Sequence, residues 1–165
     1  MDLDLSGQRR DDPLADYARC LRSVTRVCSA LIAAVALYAA AAWTLAGSGA
    51  AASGLPASVP LSLSLLAAIL ILLSSRLRST VLRRAFPRSA ALAVDPGLVL
   101  GAYQRATLLS FAMLEAAALL GLLVAFTSGS AIYGSVLCAA SAFGMATRWP
   151  RASEVDRLVR GRARP

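Results

Sequence analysis

The chain has 165 residues, 58% of them hydrophobic and 16% charged, with a net charge of +8 at pH 7. Soluble domains carry about 25% charged and about 45–50% apolar residues. The apolar surplus here is gathered in four nearly charge-free blocks, which excludes an ordinary water-soluble domain. All 17 basic residues are Arg, with no His, so the imidazole proton shuttle, the commonest metal ligand and the usual hydrolase triad are missing.

Residues 1–26 come first. Asp12-Pro13 predicts a helix start, with Asp as N-cap and Pro at the first helical position. Leu14, Tyr17, Leu21 and Val24 follow at helical spacing, with Arg19, Arg22 and Arg26 beside them. This amphipathic segment either lies on a membrane surface or extends the first span. Cys20 stands ahead of that span, where reversible acylation is one reading and an inert thiol the ordinary one. Cys28 and Cys138 fall in apolar blocks, where Cys acts as a small hydrophobe. The three spacings fit no zinc or redox motif.

A span needs about 20 mainly apolar residues. The first is predicted over 27–46, a block without charge. It is longer than the 7–15 residues of a signal-peptide core, so a retained span is expected. A small, flexible linker, Gly47 to Gly54, leads to a second span over 59–78. Its apolar part ends at Ser75, and Arg76 and Arg78 are expected to reach the interface as anchors. Asp95-Pro96 repeats the helix start ahead of a third span over 105–126, with Arg105 as a further anchor. A helix from Pro96 to Phe126 would be roughly 45 Å long, more than a hydrocarbon core of about 30 Å. Thr127 to Ser130 is a tight turn, so the third and fourth helices are antiparallel neighbours. The fourth span, 131–148, ends at Arg148-Trp149-Pro150, two interface anchors and a helix stop. Within the tail, 149–165, Ser153-Glu154-Val155-Asp156 resembles a capping box.

Charge in the loops sets the expected orientation. Gly47 to Ser58 and Thr127 to Ser130 carry none. The connection between the second and third spans carries Arg76, Arg78, Arg83, Arg84, Arg88 and Arg105 against Asp95, and the tail carries six Arg against Glu154 and Asp156. The positive-inside rule puts both in the cytoplasm, and four crossings put the N-terminus there too. The Arg and Ala bias points to a GC-rich bacterial genome and hence to a bacterial inner membrane.

Glu115 is the charged residue within the third span. A carboxylate at that depth costs several kcal/mol, which makes it a functional candidate by default. Its structural alternative is a hydrogen bond to a neighbouring helix, with Tyr38, Ser62 or Ser64, and Ser135 or Ser141 as candidate partners. Arg105 is excluded within the helix, since ten residues separate the two by roughly 15 Å. Around the carboxyl, Ala112 and Ala116, then Ala117 and Gly121, stand four apart, as do Ala140 and Gly144 in the fourth span. Such small-residue ridges let helices approach closely.

The run Phe111-Ala112-Met113-Leu114-Glu115-Ala116-Ala117-Ala118-Leu119-Leu120-Gly121-Leu122-Leu123-Val124-Ala125 resembles the ion-carrying helix of the proteolipid (c or K) subunits of rotary ATPases. In that family a mid-helix carboxylate precedes small residues and often a Gly-Leu pair. The resemblance implies an ion-binding role for Glu115. Arg84-Ala85-Phe86-Pro87 is similar to the family's polar Arg-x-Pro loop. The chain departs from the family elsewhere: Leu61 to Ser75 contains no Gly, and the two halves do not repeat.

These readings predict an all-α integral membrane protein, a bundle of four transmembrane helices over 27–147 with both ends in the cytoplasm. The expected role is non-enzymatic, as a subunit or accessory partner of a membrane complex, with ion- or proton-coupled transport through Glu115 as the alternative. No metal, cofactor or nucleic acid is expected. The expected partners are the bilayer, its anionic headgroups, and a second copy or a larger complex.

Overall fold

The computed structural model describes residues 13–48, 55–85 and 96–154. Four helices follow in chain order: α1 (Pro13–Gly47), α2 (Ser58–Ala85), α3 (Pro96–Ser128) and α4 (Ala131–Thr147). Among the described residues there is no strand. Pro13 and Pro96 are the first described residues of α1 and α3, each in a described first turn where a missing N–H costs nothing. α2 carries Pro60 in its first turn for the same reason. Gly129, at φ 66°, and extended Ser130 reverse the chain between α3 and α4. The α4 C-terminus closes with Arg148 and Trp149 N–H groups donating to the Met145 and Ala146 carbonyls, ahead of Pro150.

The helices outrun the expected spans. The amphipathic stretch from Pro13 is continuous with the rest of α1, so it extends the first span instead of forming a separate surface helix. α2 continues through Arg83 and Arg84, and α3 runs unbroken from Pro96 through its Glu115. α1, α2 and α3 are each long and apolar enough to cross a membrane, whereas α4, at 17 residues, is shorter. The second half of the capping-box pattern, Val155-Asp156, lies outside the described residues, as do Asp12 and the whole connection 86–95, Asp95 included.

α3 is the central helix. Its most apolar stretch is 44% buried, against 17% in α1 and 11% in α2, and it packs against each of the other three. α1 also packs on α4, while α1 and α2 touch only marginally. Large side chains face outward: Leu37 is 69% exposed, Leu61 72% and Phe143 72%. The interior holds small residues, with Cys28, Ala42, Ala67, Ala117, Ala118 and Ala125 fully buried, around a few large ones, Tyr103, Phe111, Leu114 and Met145. An exposed apolar girdle of this extent marks a surface made for something other than water. The length of the helices identifies that something as hydrocarbon, and the chain is a helical membrane protein.

Backbone approach is closest between α3 and α4. A Cβ on Gly134 would stand 2.6 Å from the Gly121 carbonyl oxygen and 2.7 Å from the Ala125 Cβ. Gly144 sits under the Leu114 side chain. Of the expected small-residue ridges, Ala117 and Gly121 are therefore inside and Ala116 is half-buried, while Ala112 and Ala140 face outward.

Candidate functional site

Glu115 and Tyr38 meet between α1 and α3. Tyr38 Oη donates to Glu115 Oε1 at 3.1 Å, and both side chains are half-buried. Thirteen residues of α3 follow Glu115, so the carboxyl lies roughly 20 Å from that end of the helix. Two of the other candidate partners use their own backbone: Ser62 donates to the Val59 carbonyl and Ser64 to that of Pro60. The Ser135 and Ser141 hydroxyls are buried without a hydrogen-bond partner. Tyrosine reaches the acid because its hydroxyl stands off the helix at the end of a rigid ring, whereas the short side chains of Ser62 and Ser64 bond their own turn.

A second polar cluster closes one end of the bundle. Arg78 Nη2 donates to Glu154 Oε1 at 2.9 Å and Oε2 at 2.8 Å. Tyr103 Oη donates to the same Oε2 at 3.1 Å. The Arg78 guanidinium also lies 5.8 Å from the Tyr103 ring centre, within cation–π range. This joins α2, α3 and the segment after α4. Nearby, Arg148 Nη1 donates to Ser74 Oγ at 2.6 Å and Ser110 Oγ at 3.1 Å, tying the end of α4 to the fully buried hydroxyls of α2 and α3. Cys20 Sγ donates to Gln104 Oε1 at 3.3 Å, which brings the start of α1 to the same end.

The expected anchors thus divide. Arg76 and Arg105 are exposed, whereas Arg78, only 15% exposed at its side chain, and Arg148 turn inward to partners. Trp149 packs against the core that contains Phe111, Leu114 and Met145. Glu154 was not expected as an ion partner. Its signal is scarcity: beyond Asp16 the acids are Asp95, Glu115, Glu154 and Asp156, and an acid just past an Arg-Trp-Pro helix stop faces many guanidiniums.

Among the described residues, no three His, Cys, Asp or Glu side chains come together as a metal site. What the arrangement does chemically is join helices. One carboxyl links α1 to α3 part-way along both helices, and a second links α2, α3 and the segment after α4 at the charged end. The proteolipid likeness rests on the Phe111 to Ala125 run alone. Comparison with protein-family models, with curated proteins and with solved structures finds no match.

Proposed function

We propose that this chain is a small polytopic protein of the bacterial inner membrane. In this reading it crosses four times with both ends in the cytoplasm, and serves as a non-enzymatic subunit or accessory partner of a membrane complex. The observation that carries the reading is the Tyr38–Glu115 hydrogen bond. It gives the intramembrane acid a structural task, since a carboxyl bonded to a neighbouring helix has a reason to be there without carrying an ion.

Four crossings are supported by the way α4 lies along α3. Contacts at Gly121–Gly134, Leu114–Gly144 and Ser110–Arg148 hold the two antiparallel over the stretch of α3 that contains Glu115. At 17 residues, α4 rises roughly 25 Å, and Arg148 and Trp149, residue types that suit an interface, follow its end. Orientation is supported by the gathering of charge: among the described residues the Arg side chains of α1, α2, α3 and the chain after α4 lie toward one end. The other end, around Gly47, Ser58 and Gly129, carries none.

An ion-coupled transport role is the second reading. It is favoured by the incomplete burial of Glu115 and by the carboxylate-helix resemblance. The test is carbodiimide labelling of the purified protein across pH, read at Glu115 by mass spectrometry, beside affinity purification of wild type and Glu115→Gln in mild detergent. The accessory reading expects a larger complex that survives the substitution, with labelling of Glu115 only after denaturation. Labelling of the native protein that fades as pH rises through neutrality, in a chain that migrates alone, replaces it with transport.

A further inference from the structure

α1 carries Arg19, Arg22 and Arg26 at positions i, i+3 and i+7, which brings them to one face of the helix. With Ser23 and Val27 they line an outward-facing hollow of about 380 Å³. All five side chains are exposed. Arg22 Nε donates to the Ala18 carbonyl at 3.2 Å, which steadies the guanidinium base on its own helix. Among the described residues no carboxylate pairs with Arg22 or Arg26. This separates them from Arg78, whose charge is met by Glu154.

The position of the hollow is as informative as its charge. Arg26 is the last charged residue of α1, and Val27 to Gly47 is free of charge. Arg22 and Arg26 therefore mark the step where a charged helix surface becomes an apolar one. Directly beyond the step, Val27, Ala30 and Ala33 are exposed. A ligand that fits both sides needs an anionic head for the guanidiniums and an apolar body for the helix beyond them. Guanidinium groups suit phosphate oxygens through paired, charge-assisted hydrogen bonds. A nucleic acid or an acidic peptide would match the Arg face and leave the apolar continuation unused.

We propose that this face of α1 is a binding site for an anionic phospholipid. Its phosphate is held among Arg19, Arg22 and Arg26, and its acyl chains run along Val27 and Ala30. The inference rests on the membrane placement proposed above, and it goes further by assigning the lipid class and the residues that select it.

The test uses the full-length chain, purified and delipidated in a neutral detergent, and reads lipid binding by native mass spectrometry. The probes are phosphatidylglycerol, phosphatidylcholine and inorganic phosphate. Arg22→Gln with Arg26→Gln removes two of the three guanidiniums. Arg83→Gln with Arg84→Gln removes an exposed pair at the end of α2 and serves as the control. Helix content by circular dichroism checks that both variants fold. The expected results are a preference for phosphatidylglycerol over phosphatidylcholine and no displacement by inorganic phosphate. The α1 variant should lose roughly 25-fold in phosphatidylglycerol affinity, from about fivefold per Arg near a lipid surface.

Equal losses in the two variants would reduce the site to diffuse charge and overturn the proposal. Equal binding of phosphatidylcholine, or displacement by inorganic phosphate at matched concentration, would do the same. So would loss of a co-purifying protein from the α1 variant with lipid retention unchanged, which would make the face a protein contact. Because lipid retention is read on the isolated chain, its failure is distinct from failure of the accessory-subunit reading, which is read on the larger complex.

Discussion

Gly121 and Gly134 face each other across α3 and α4, so closely that a methyl group on either would meet the other's carbonyl oxygen at 3.0 Å or less. The obstacle is backbone and cannot swing aside. Gly134→Ala should therefore separate the two helices and cost about 1–3 kcal/mol, the usual range for overpacking. Gly144→Ala meets only the tip of Leu114, which can change rotamer, and should cost less. Gly101→Ala meets nothing within 4 Å and should stabilise by about 0.5–1 kcal/mol through helix propensity. Thermal unfolding of the three variants in one detergent gives the order; a Gly134→Ala protein as stable as wild type would contradict the packing.

The Tyr38–Glu115 hydrogen bond predicts coupling between two helices far apart in sequence. Tyr38→Phe and Glu115→Gln, singly and together, form a double-mutant cycle. Interhelical hydrogen bonds in membrane proteins couple by about 0.6 kcal/mol on average and up to about 1.7, and the pair should fall in that range. Glu115→Gln keeps an acceptor oxygen and should be the milder single change. Strict additivity would mean that the two side chains do not meet in the membrane.

The Arg78–Glu154 pair should control how firmly the chain after α4 is held. Glu154 is 39% exposed at its side chain, so solvent weakens the attraction and the contribution is about 1 kcal/mol. Arg78→Gln and Glu154→Gln should both raise hydrogen exchange across residues 149–154, and by similar amounts. Exchanging the two charges, Arg78→Glu with Glu154→Arg, should restore part of the protection. Protection unchanged in both single variants would show that Trp149 and Pro150 hold the segment alone.

Orientation is open to direct measurement. With the native cysteines replaced by Ser, a single cysteine at Ser48 should react with a membrane-impermeant maleimide from outside intact cells. One at Arg84 should react only after lysis. A green fluorescent protein fused at Pro165 should fluoresce, as expected for a cytoplasmic C-terminus. Reversal of the two labelling patterns would invert the topology inferred from the Arg-rich loops.

Much of this architecture is legible in the residues. The Asp12-Pro13 and Asp95-Pro96 steps predict helix starts, because a proline is welcome only where no helical N–H is needed, and Pro13 and Pro96 are the first described residues of α1 and α3. Pro150 and the Gly129 turn bound α4 for equally local reasons. The tight turn also predicts that α3 and α4 are neighbours; less legible is which faces meet, and which helices pack without such a turn to join them. Tyr38 was one of several candidate donors for Glu115, and spacing along a helix does not say which face meets which partner. Gly134 carries no signal along its own helix, because its counterpart, Gly121, lies across a turn and not four residues away. Arg78 and Arg148 read as snorkelling anchors from their place beside apolar blocks; their inward turn depends on Glu154, Ser74 and Ser110, whose proximity arises only in the folded bundle.

The marginal contact between α1 and α2 also bears on biogenesis. Both precede α3 in the chain, yet α2 packs chiefly on α3, and α1 on α3 and α4, rather than on each other. A vectorial scheme in which every new span docks on the one before it does not describe this chain. α1 and α2 acquire a shared packing partner only when α3 is in place between them. Glu115 sits on that shared helix, so its bond to Tyr38 belongs to the α1–α3 contact that α2 does not supply.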